Sequence, residues 1–187
     1  MTQPNLTVII ASTRPGRAGL PIATWFIERA KKHGAFEVTV ADLKEIGLPH
    51  LDEPKHPRLG QYEHEHTKRW SAIVSAADAF VFVTPEYNYG SPPALLNALD
   101  FLFKEWAYKP VGFVSYGGVS AGLRSVQMTK QVVTTLKMMP IPEGVSIPFF
   151  GTMLKEGVFS GNEGLDNSIK PMLDELHKWV GALKPLR

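Results

Sequence analysis

The chain has 187 residues, of which 44% are hydrophobic and 20% charged, and this composition predicts one globular domain over residues 1–187 with a sizeable core. Its 20 basic and 18 acidic residues are too evenly balanced for a protein that binds nucleic acid or a membrane surface. The absence of cysteine excludes disulfides, thiolate metal sites and a cysteine nucleophile.

The amino terminus lacks the features of a targeting segment. No basic residue precedes the first apolar run, residues 6–11, and this run is far shorter than a signal sequence or a membrane span. We therefore expect a cytoplasmic protein.

Short apolar runs alternate with amphipathic stretches along the chain. The first run is rich in β-branched residues, which is typical of a buried parallel strand. A helical stripe follows from Ile22 and stops at Gly34. The other predicted strands cover residues 36–43, 79–84, 111–116 and 138–141. The other predicted helices cover residues 61–77, 94–104, 121–136 and 169–183, and a loop rich in glycine and proline precedes the last of them.

This order predicts an α/β fold, with a five-stranded, mostly parallel sheet and helices on both faces. In such folds ligands bind at the carboxyl ends of the strands, where the strand order reverses. The loops after the first, third and fourth strands are therefore the candidates for a binding site.

The loop after the first strand, residues 12–19, combines hydroxyls, two arginines and glycines with the start of a helix. Free helix N–H groups and guanidinium groups suit a phosphate. An ordinary capped turn with solvated arginines is the alternative. The loop is neither a Walker loop nor a Gly-x-Gly-x-x-Gly turn, because it lacks their residue patterns.

The loops after the third and fourth strands are less specific when each is taken alone. Residues 84–93 place aromatic and amide side chains between prolines, which suits a flat heterocycle but equally suits a rigid connection over the core. Residues 115–122 contain paired glycines, which let backbone approach a ligand but also occur in ordinary tight turns. The arrival of all three loops at one sheet edge favours a binding site.

Four short segments in these regions carry a resemblance. They are Ser12-x-Arg14, Pro85-Glu86-Tyr87-Asn88, Pro93-x-x-Leu96-Asn97-Ala98-x-Asp100 and Ser115-Tyr116-Gly117-Gly118. Together they resemble the NADPH-dependent FMN reductase family, which includes azoreductase-like, quinone-reductase-like and chromate-reductase-like members. The resemblance spans residues 6 to about 150. The chain departs from the common pattern at Ala11, at residues 17–20 and at Leu96.

The resemblance implies a flavodoxin-like three-layer sandwich, bound FMN, NADPH or NADH as electron donor, and a homodimer or homotetramer. It implies that the FMN phosphate is bound by Ser12, Arg14, Arg17 and N–H groups through Gly19 and Leu20. It also implies that the flavin ring is lined, largely through backbone, by Pro85, Glu86, Tyr87 and Asn88. Its other edge would be closed by Ser115, Tyr116, Gly117 and Gly118.

The expected function is that of an NAD(P)H-dependent, FMN-containing oxidoreductase. The acceptor would be a quinone, an azo compound, a flavin or a metal oxyanion. Because the flavin carries the chemistry, we predict no catalytic side chain. One alternative is a flavodoxin-like electron-transfer or flavin-binding module without NAD(P)H activity, although the net charge of +2 differs from the acidic surface usual for such carriers. Another is a phosphate-ester enzyme or nucleotide-binding adapter, which leaves residues 85–88 unexplained.

Two further features have structural interpretations. His64 and His66 lie two positions apart, a spacing at which helical side chains diverge, so we expect solvated histidines and no metal site. The helix over residues 94–104, with Trp106 and Tyr108 after it, is apolar on two sides, and we expect it to form the homodimer contact.

Overall fold

In the computed structural model, which describes residues 3–187, five parallel strands form one sheet in the order β2-β1-β3-β4-β5. The strands are β1 (Asn5–Ile10), β2 (Glu37–Asp42), β3 (Ala79–Pro85), β4 (Pro110–Tyr116) and β5 (Met139–Ile147). The helices are α1 (Gly19–His33), α2 (Leu43–Ile46), α3 (Glu65–Ala76), α4 (Pro93–Asp100), α5 (Leu123–Thr135) and α6 (Glu163–Leu183). This strand order is that of flavodoxin-like folds, and it confirms the predicted fold class.

Helices cover both faces of the sheet because alternate residues of a strand point to opposite sides. Val8 and Ile10 of β1 pack in the cluster formed with α1 and α6, whereas Ile9 packs in the cluster formed with α3, α4 and α5. Every residue of β3 and β4 is buried, as expected of central parallel strands. The sheet is thus the middle layer of three.

Aromatic side chains join α3 and α4 to the sheet. The rings of Trp70 and Trp106 meet edge-on with centroids 5.8 Å apart, and Phe80 of β3 lies 5.1 Å from Trp106. Each indole N–H donates to a carbonyl oxygen of α4, Trp70 to Ala98 at 2.8 Å and Trp106 to Leu99 at 3.2 Å. These bonds satisfy the buried indoles and hold α4 in place after the loop that follows β3.

The helix predicted over residues 94–104 ends at Asp100, because the chain turns inward there. Phe101 is fully buried, and a short 3₁₀ turn carries Trp106 into the core. The apolar side chains that suggested a dimer contact therefore lie largely inside the chain itself. The homodimer remains a prediction, without support from an exposed face of this helix.

The fifth strand extends to Ile147 instead of ending at residue 141. Pro140 and Pro142 hide it in the sequence, since proline lacks the N–H of a strand ladder and is tolerated at a sheet edge. Part of the predicted loop also forms a small antiparallel hairpin, β6 (Leu154–Lys155) and β7 (Val158–Phe159). This hairpin packs on α1 through an edge contact of Phe159 with Trp25, at 5.2 Å between centroids.

The two histidines near α3 differ from expectation. His64 precedes the helix, and its ring stacks on that of His66 with centroids 5.2 Å apart. His66 Nε2 lies 2.9 Å from a carboxylate oxygen of Asp52, so the two rings are neither divergent nor fully solvated. Within residues 3–187, no group of three or more His, Asp or Glu side chains is arranged to hold a metal ion. None of the helices in this part of the chain is long and apolar enough to span a membrane.

Two glycines test the packing of α6 on β4. A Cβ on Gly112 of β4 would lie 3.1 Å from Met172 Sδ of α6, whereas one on Gly181 would have no neighbour within 4 Å. Gly112→Val should overfill this contact and lower the free energy of unfolding by about 1–3 kcal/mol. Gly181→Ala should raise it by about 0.5–1 kcal/mol through helix propensity. Urea unfolding measures the free energy of unfolding of both variants. A change of the same sign in the two would contradict this packing.

Candidate functional site

Three loops meet at the carboxyl edge of the sheet. The first loop (residues 11–18) follows β1, the second loop (residues 86–92) follows β3 and the third loop (residues 117–122) follows β4. They enclose a cleft of about 320 Å³. The cleft is lined by Arg14, Gly16, Arg17, Ala18, Pro85, Glu86, Tyr87, Tyr116, Gly117, Gly118, Phe150 and Leu154. A larger groove, of about 490 Å³, also borders the first loop.

The start of α1 is brought against Ser12 by the first loop. The Ser12 hydroxyl is buried and has no well-formed hydrogen-bond partner among the described residues. A Cβ on Gly19 would overlap this hydroxyl and would lie 2.7 Å from the hydroxyl oxygen of Tyr116. Only glycine permits so close an approach. As a result, two hydroxyls and the first turn of α1 converge behind one wall of the cleft.

Donors of the first loop and of α1 remain free for an anion. The N–H groups of Gly19 and Leu20 have no intrahelical acceptor, and the Ala18 side chain cannot cap the helix. Arg14 is exposed, makes no ion pair within residues 3–187, and lies with its guanidinium carbon 6.0 Å from the centroid of the Tyr87 ring. The peptide dipoles of α1 add positive potential at the same point. This arrangement suits a phosphate-sized anion.

The environment of Arg17 is different. Its guanidinium forms a two-pronged ion pair with the Asp42 carboxylate at the end of β2, and it donates to the Ser12 carbonyl oxygen at 2.6 Å. Hydrogen bonding to Asp42 raises the pKa of Arg17. The Arg17 side chain is only 7% exposed. The guanidinium that the sequence suggested as a phosphate ligand therefore ties the first loop to β2.

The second loop is a tight turn. Tyr87 and Gly90 exchange both of their backbone hydrogen bonds, at 3.0 and 2.9 Å. Between them, Asn88 and Tyr89 have φ angles of 49° and 69°. Positive values at both central positions are typical of a type I′ turn, which asparagine accepts more readily than tyrosine. The turn leaves the Tyr87 side chain in the cleft wall and the other two side chains exposed.

Glu86 joins the second loop to the third. Its carboxylate accepts hydrogen bonds from the Ser120 hydroxyl at 2.9 Å, the Arg124 amide at 3.1 Å and the Arg124 guanidinium at 2.7 Å. Burial opposes ionisation of this carboxyl group, but the three donors outweigh burial and keep the pKa of Glu86 below its usual value. The Arg124 guanidinium also lies 4.0 Å from the centroid of the Tyr89 ring. These contacts fix two walls of the cleft relative to each other.

The third loop presents backbone to the cleft. The Gly117 N–H donates to the Ile147 carbonyl oxygen at 3.2 Å, so it is engaged within the sheet. Gly118 N–H makes no backbone hydrogen bond within the described chain, although its carbonyl oxygen accepts from Ala121 and Phe149. A Cβ on Gly118 would meet no atom within 4 Å. Gly118 therefore offers an accessible amide donor at this wall.

Tyr116 and Phe150 form the inner part of the cleft. Their rings meet edge-on with centroids 5.3 Å apart, and Tyr116 is only 3% exposed. Burial raises the pKa of the Tyr116 hydroxyl, which keeps it protonated at neutral pH. The sequence pattern does not point to Phe150 and Leu154 as cleft residues, because it predicts that the fifth strand ends at residue 141. A strand continued to residue 147 would have placed both at this edge.

Several predicted residues do not contribute side chains to the cleft. Ser12 and Gly19 lie behind its wall. Leu20 borders a separate hollow beside α1, and Asn88 is exposed. Ser115 faces α5 on the other side of the sheet from Tyr116, because alternate strand residues point in opposite directions. Leu20, Asn88 and Ser115 are therefore not part of the cleft lining.

Known proteins match this chain over most of its length. The family model described as NADPH-dependent FMN reductase matches residues 4–152. An NAD(P)H-dependent FMN reductase of Schizosaccharomyces pombe is 44% identical over 141 residues, which cover 74% of this chain and 70% of that protein. An NADPH azoreductase of a Bacillus species is 28% identical over 124 residues, 65% of each chain. In fold, the chain resembles the flavoenzyme NAD(P)H:(acceptor) oxidoreductase FerB of Paracoccus denitrificans, with a TM-score of 0.75 at 20% identity, covering 96% of this chain and 98% of that one.

Glu86→Gln should lower the free energy of unfolding at neutral pH by about 1–3 kcal/mol, because it removes a charge that accepts three hydrogen bonds. Folding depresses the pKa of Glu86 below its ordinary 4.5, so this contribution is fully present above about pH 4.5 and is lost as the pH falls through the folded-state pKa. Urea unfolding at pH 7 and near pH 3 should show the difference from wild type shrinking in acid.

The control for this prediction is Glu65→Gln, which removes an exposed carboxylate paired with Lys68. This variant should unfold almost as the wild type does. A Glu86→Gln penalty that stays constant between the two pH values would contradict the role of the charged carboxylate.

Proposed function

The chain belongs to the NADPH-dependent FMN reductase family, and on this premise we propose that its cleft holds FMN as a resident cofactor. The reaction is hydride transfer from NADPH or NADH, followed by reduction of a small acceptor. The observation that carries the proposal is the uncapped start of α1, where the Gly19 and Leu20 amides have no intrahelical acceptor, at a cleft lined by Arg14. A phosphate group supplies the acceptors that these donors lack.

The phosphate end of FMN fits the first loop. Gly19 and Leu20 would donate their amides and Arg14 its guanidinium, while the buried Ser12 would support the start of α1 from behind the wall. Arg14 is the suitable arginine because its charge is free, whereas Arg17 is neutralised by Asp42. Charge-assisted hydrogen bonds of this kind are about twice as strong as neutral ones. Arg17 contributes by holding the first loop in shape.

The ring of FMN fits between the second and third loops. Pro85 and Tyr87 offer apolar and aromatic surface, and Gly118 offers an amide donor. The Gly118 amide would stabilise negative charge on the ring, because it is a fixed backbone donor. The Glu86–Arg124 pair keeps the two walls at a constant separation and so limits the reorganisation needed when the ring is reduced.

When bound, FMN would supply the redox chemistry: it would take a hydride from the nicotinamide and pass two electrons to the acceptor, whose protons come from the reduced flavin and the solvent. The residues of this chain would bind and orient the cofactor and shield it from water. Glu86 is ionised and fully hydrogen-bonded, while Tyr116 is protonated and buried, so neither is arranged as a base for proton removal. We therefore assign no catalytic side chain.

The open side of the cleft suits small acceptors that occupy the place vacated by the nicotinamide, where planar ones would stack on the flavin ring. Quinones, azo compounds, flavins and metal oxyanions form the proposed acceptor set, and the similarity to an azoreductase supports the azo compounds. We further propose that residues 1–187 act as one FMN-binding domain in a cytoplasmic homodimer or homotetramer. The proposed electron donor is NADPH or NADH.

Absorbance spectroscopy tests the cofactor and the donor together. The purified protein, alone or after addition of FMN and gel filtration, should carry yellow flavin bands that bleach with NADPH or NADH in the absence of oxygen. A protein that stays colourless after incubation with FMN would refute the resident cofactor. Bands that neither donor bleaches would favour an electron-transfer module instead.

Substitutions in the first loop and at the start of α1 test the phosphate site. Arg14→Gln should raise the FMN dissociation constant about tenfold by removing a charged donor. Gly19→Ala should raise it at least as much, because a methyl group would push α1 away from Ser12. Quenching of flavin fluorescence measures both constants. The controls are Arg58→Gln, an exposed arginine outside the cleft, and Gly151→Ala, whose Cβ meets no atom within 4 Å; an effect of equal size in the controls would contradict this site.

A further inference from the structure

A second hollow at the same sheet edge has no part in the reaction described above. It is the groove of about 490 Å³ between α2 and α4, and it is larger than the cleft. The lining residues that matter here are Thr13, Lys44, Leu48, Pro49, His50 and Ala94. A volume of this size is in the range of small-molecule sites.

The walls of the groove are held by polar contacts. The Asn97 side chain donates to the Pro49 carbonyl oxygen at 2.7 Å and accepts from the Leu51 amide at 3.0 Å. On the other wall, Asp42 caps α2 by accepting from the Lys44 amide at 3.0 Å. Asp42 is itself paired with Arg17. The groove is therefore a preformed feature of the fold.

The groove has apolar walls and one cationic side chain, Lys44, at its rim. Leu48, Pro49 and Ala94 supply flat apolar surface. Lys44 and His50 are exposed, and neither side chain makes an ion pair in the described part of the chain. No acidic residue lines the groove, and Glu45, next to Lys44 in sequence, is outside its lining. An anion attached to an apolar planar group matches this combination.

The groove and the cleft lie on two sides of the first loop. Thr13 borders the groove and the next residue, Arg14, borders the cleft. On the opposite side, Pro93 at the start of α4 borders the groove and follows the second loop, whose Tyr87 borders the cleft. A ligand that extends out of the cleft across the first loop therefore enters the groove.

We propose that this groove binds the adenosine 2′-phosphate half of NADPH, with Lys44 as the residue that selects NADPH over NADH. This inference rests on the proposed function, which requires the nicotinamide half to reach the cleft. The adenine ring would lie on Leu48, Pro49 and Ala94. The 2′-phosphate, which NADH lacks, would meet the Lys44 ammonium group at the rim, with His50 as a further donor.

Isothermal titration of the FMN-loaded protein with adenosine 2′,5′-bisphosphate and with adenosine 5′-monophosphate tests the groove independently of turnover. The bisphosphate should bind more tightly, and Lys44→Gln should weaken its binding about tenfold with little effect on the monophosphate. In steady-state kinetics the same variant should raise KM for NADPH about tenfold and leave KM for NADH and kcat nearly unchanged. The matched control is Lys32→Gln, which removes the same charge from an exposed position at the carboxyl end of α1.

Equal affinity for the two nucleotides, or equal weakening by Lys44→Gln and Lys32→Gln, would overturn the proposal. So would a Lys44→Gln effect on oligomer mass in light scattering without an effect on nucleotide binding, because the groove would then be an interface between two copies. Flavin absorbance before each titration separates this failure from that of the proposed function. If the protein retains FMN and NADH bleaches it, but the 2′-phosphate does not strengthen nucleotide binding, the result contradicts the proposed role of the groove and leaves the proposed function standing.

Discussion

Parallel pairing of β1, β3 and β4 is the constraint on which the rest of the molecule depends. It sends the loops after these three strands to one edge of the sheet and directs each following helix back across a face. At that edge, Gly19 lets α1 begin in contact with Ser12 and Tyr116. The free amides of the helix, a buried hydroxyl and the walls of the cleft are brought together by this arrangement without a dedicated binding loop.

Two ion pairs shape the site by holding loops in place. Arg17 joins the first loop to the end of β2 through Asp42, and Arg124 joins α5 to the second loop through Glu86. Both acids are partly or largely shielded from water, where such pairs depend on good geometry and on further hydrogen bonds. Because these arginines are neutralised, Arg14 and Lys44 are the cations that remain available at the cleft and at the groove. Positive charge near a ligand is thus provided by residues outside the structural pairs.

In the proposed function, the cleft would hold the cofactor and the groove would hold part of the electron donor. The cleft has glycine backbone, an aromatic floor and a phosphate-sized anion site, which suit a flavin nucleotide. The groove has apolar walls and a cationic rim, which suit the part of the donor that takes no part in chemistry. The first loop separates them by a single peptide, with Thr13 on one side and Arg14 on the other. A change in that loop would therefore be expected to alter both proposed sites.

The sequence by itself determined the order of strands and helices along the chain and the three loops that meet at one edge of the sheet, because apolar runs and turn residues are local features, while the resemblance supplied most residues of the cleft wall. It also carried the family resemblance in short motifs at the strand ends. It did not reveal that β5 continues through two prolines to bring Phe150 and Leu154 into the cleft, since an edge position makes those prolines acceptable. Nor could it show that Arg17 is paired with Asp42 whereas Arg14 is not, or that the apolar side chains of the helix after the second loop and of the turn that follows it are largely buried in the core. Only the tertiary structure decided these points, because the partner of a charge and the cover of an apolar face come from residues distant in the chain, such as Asp42 for Arg17 and β3 for Trp106.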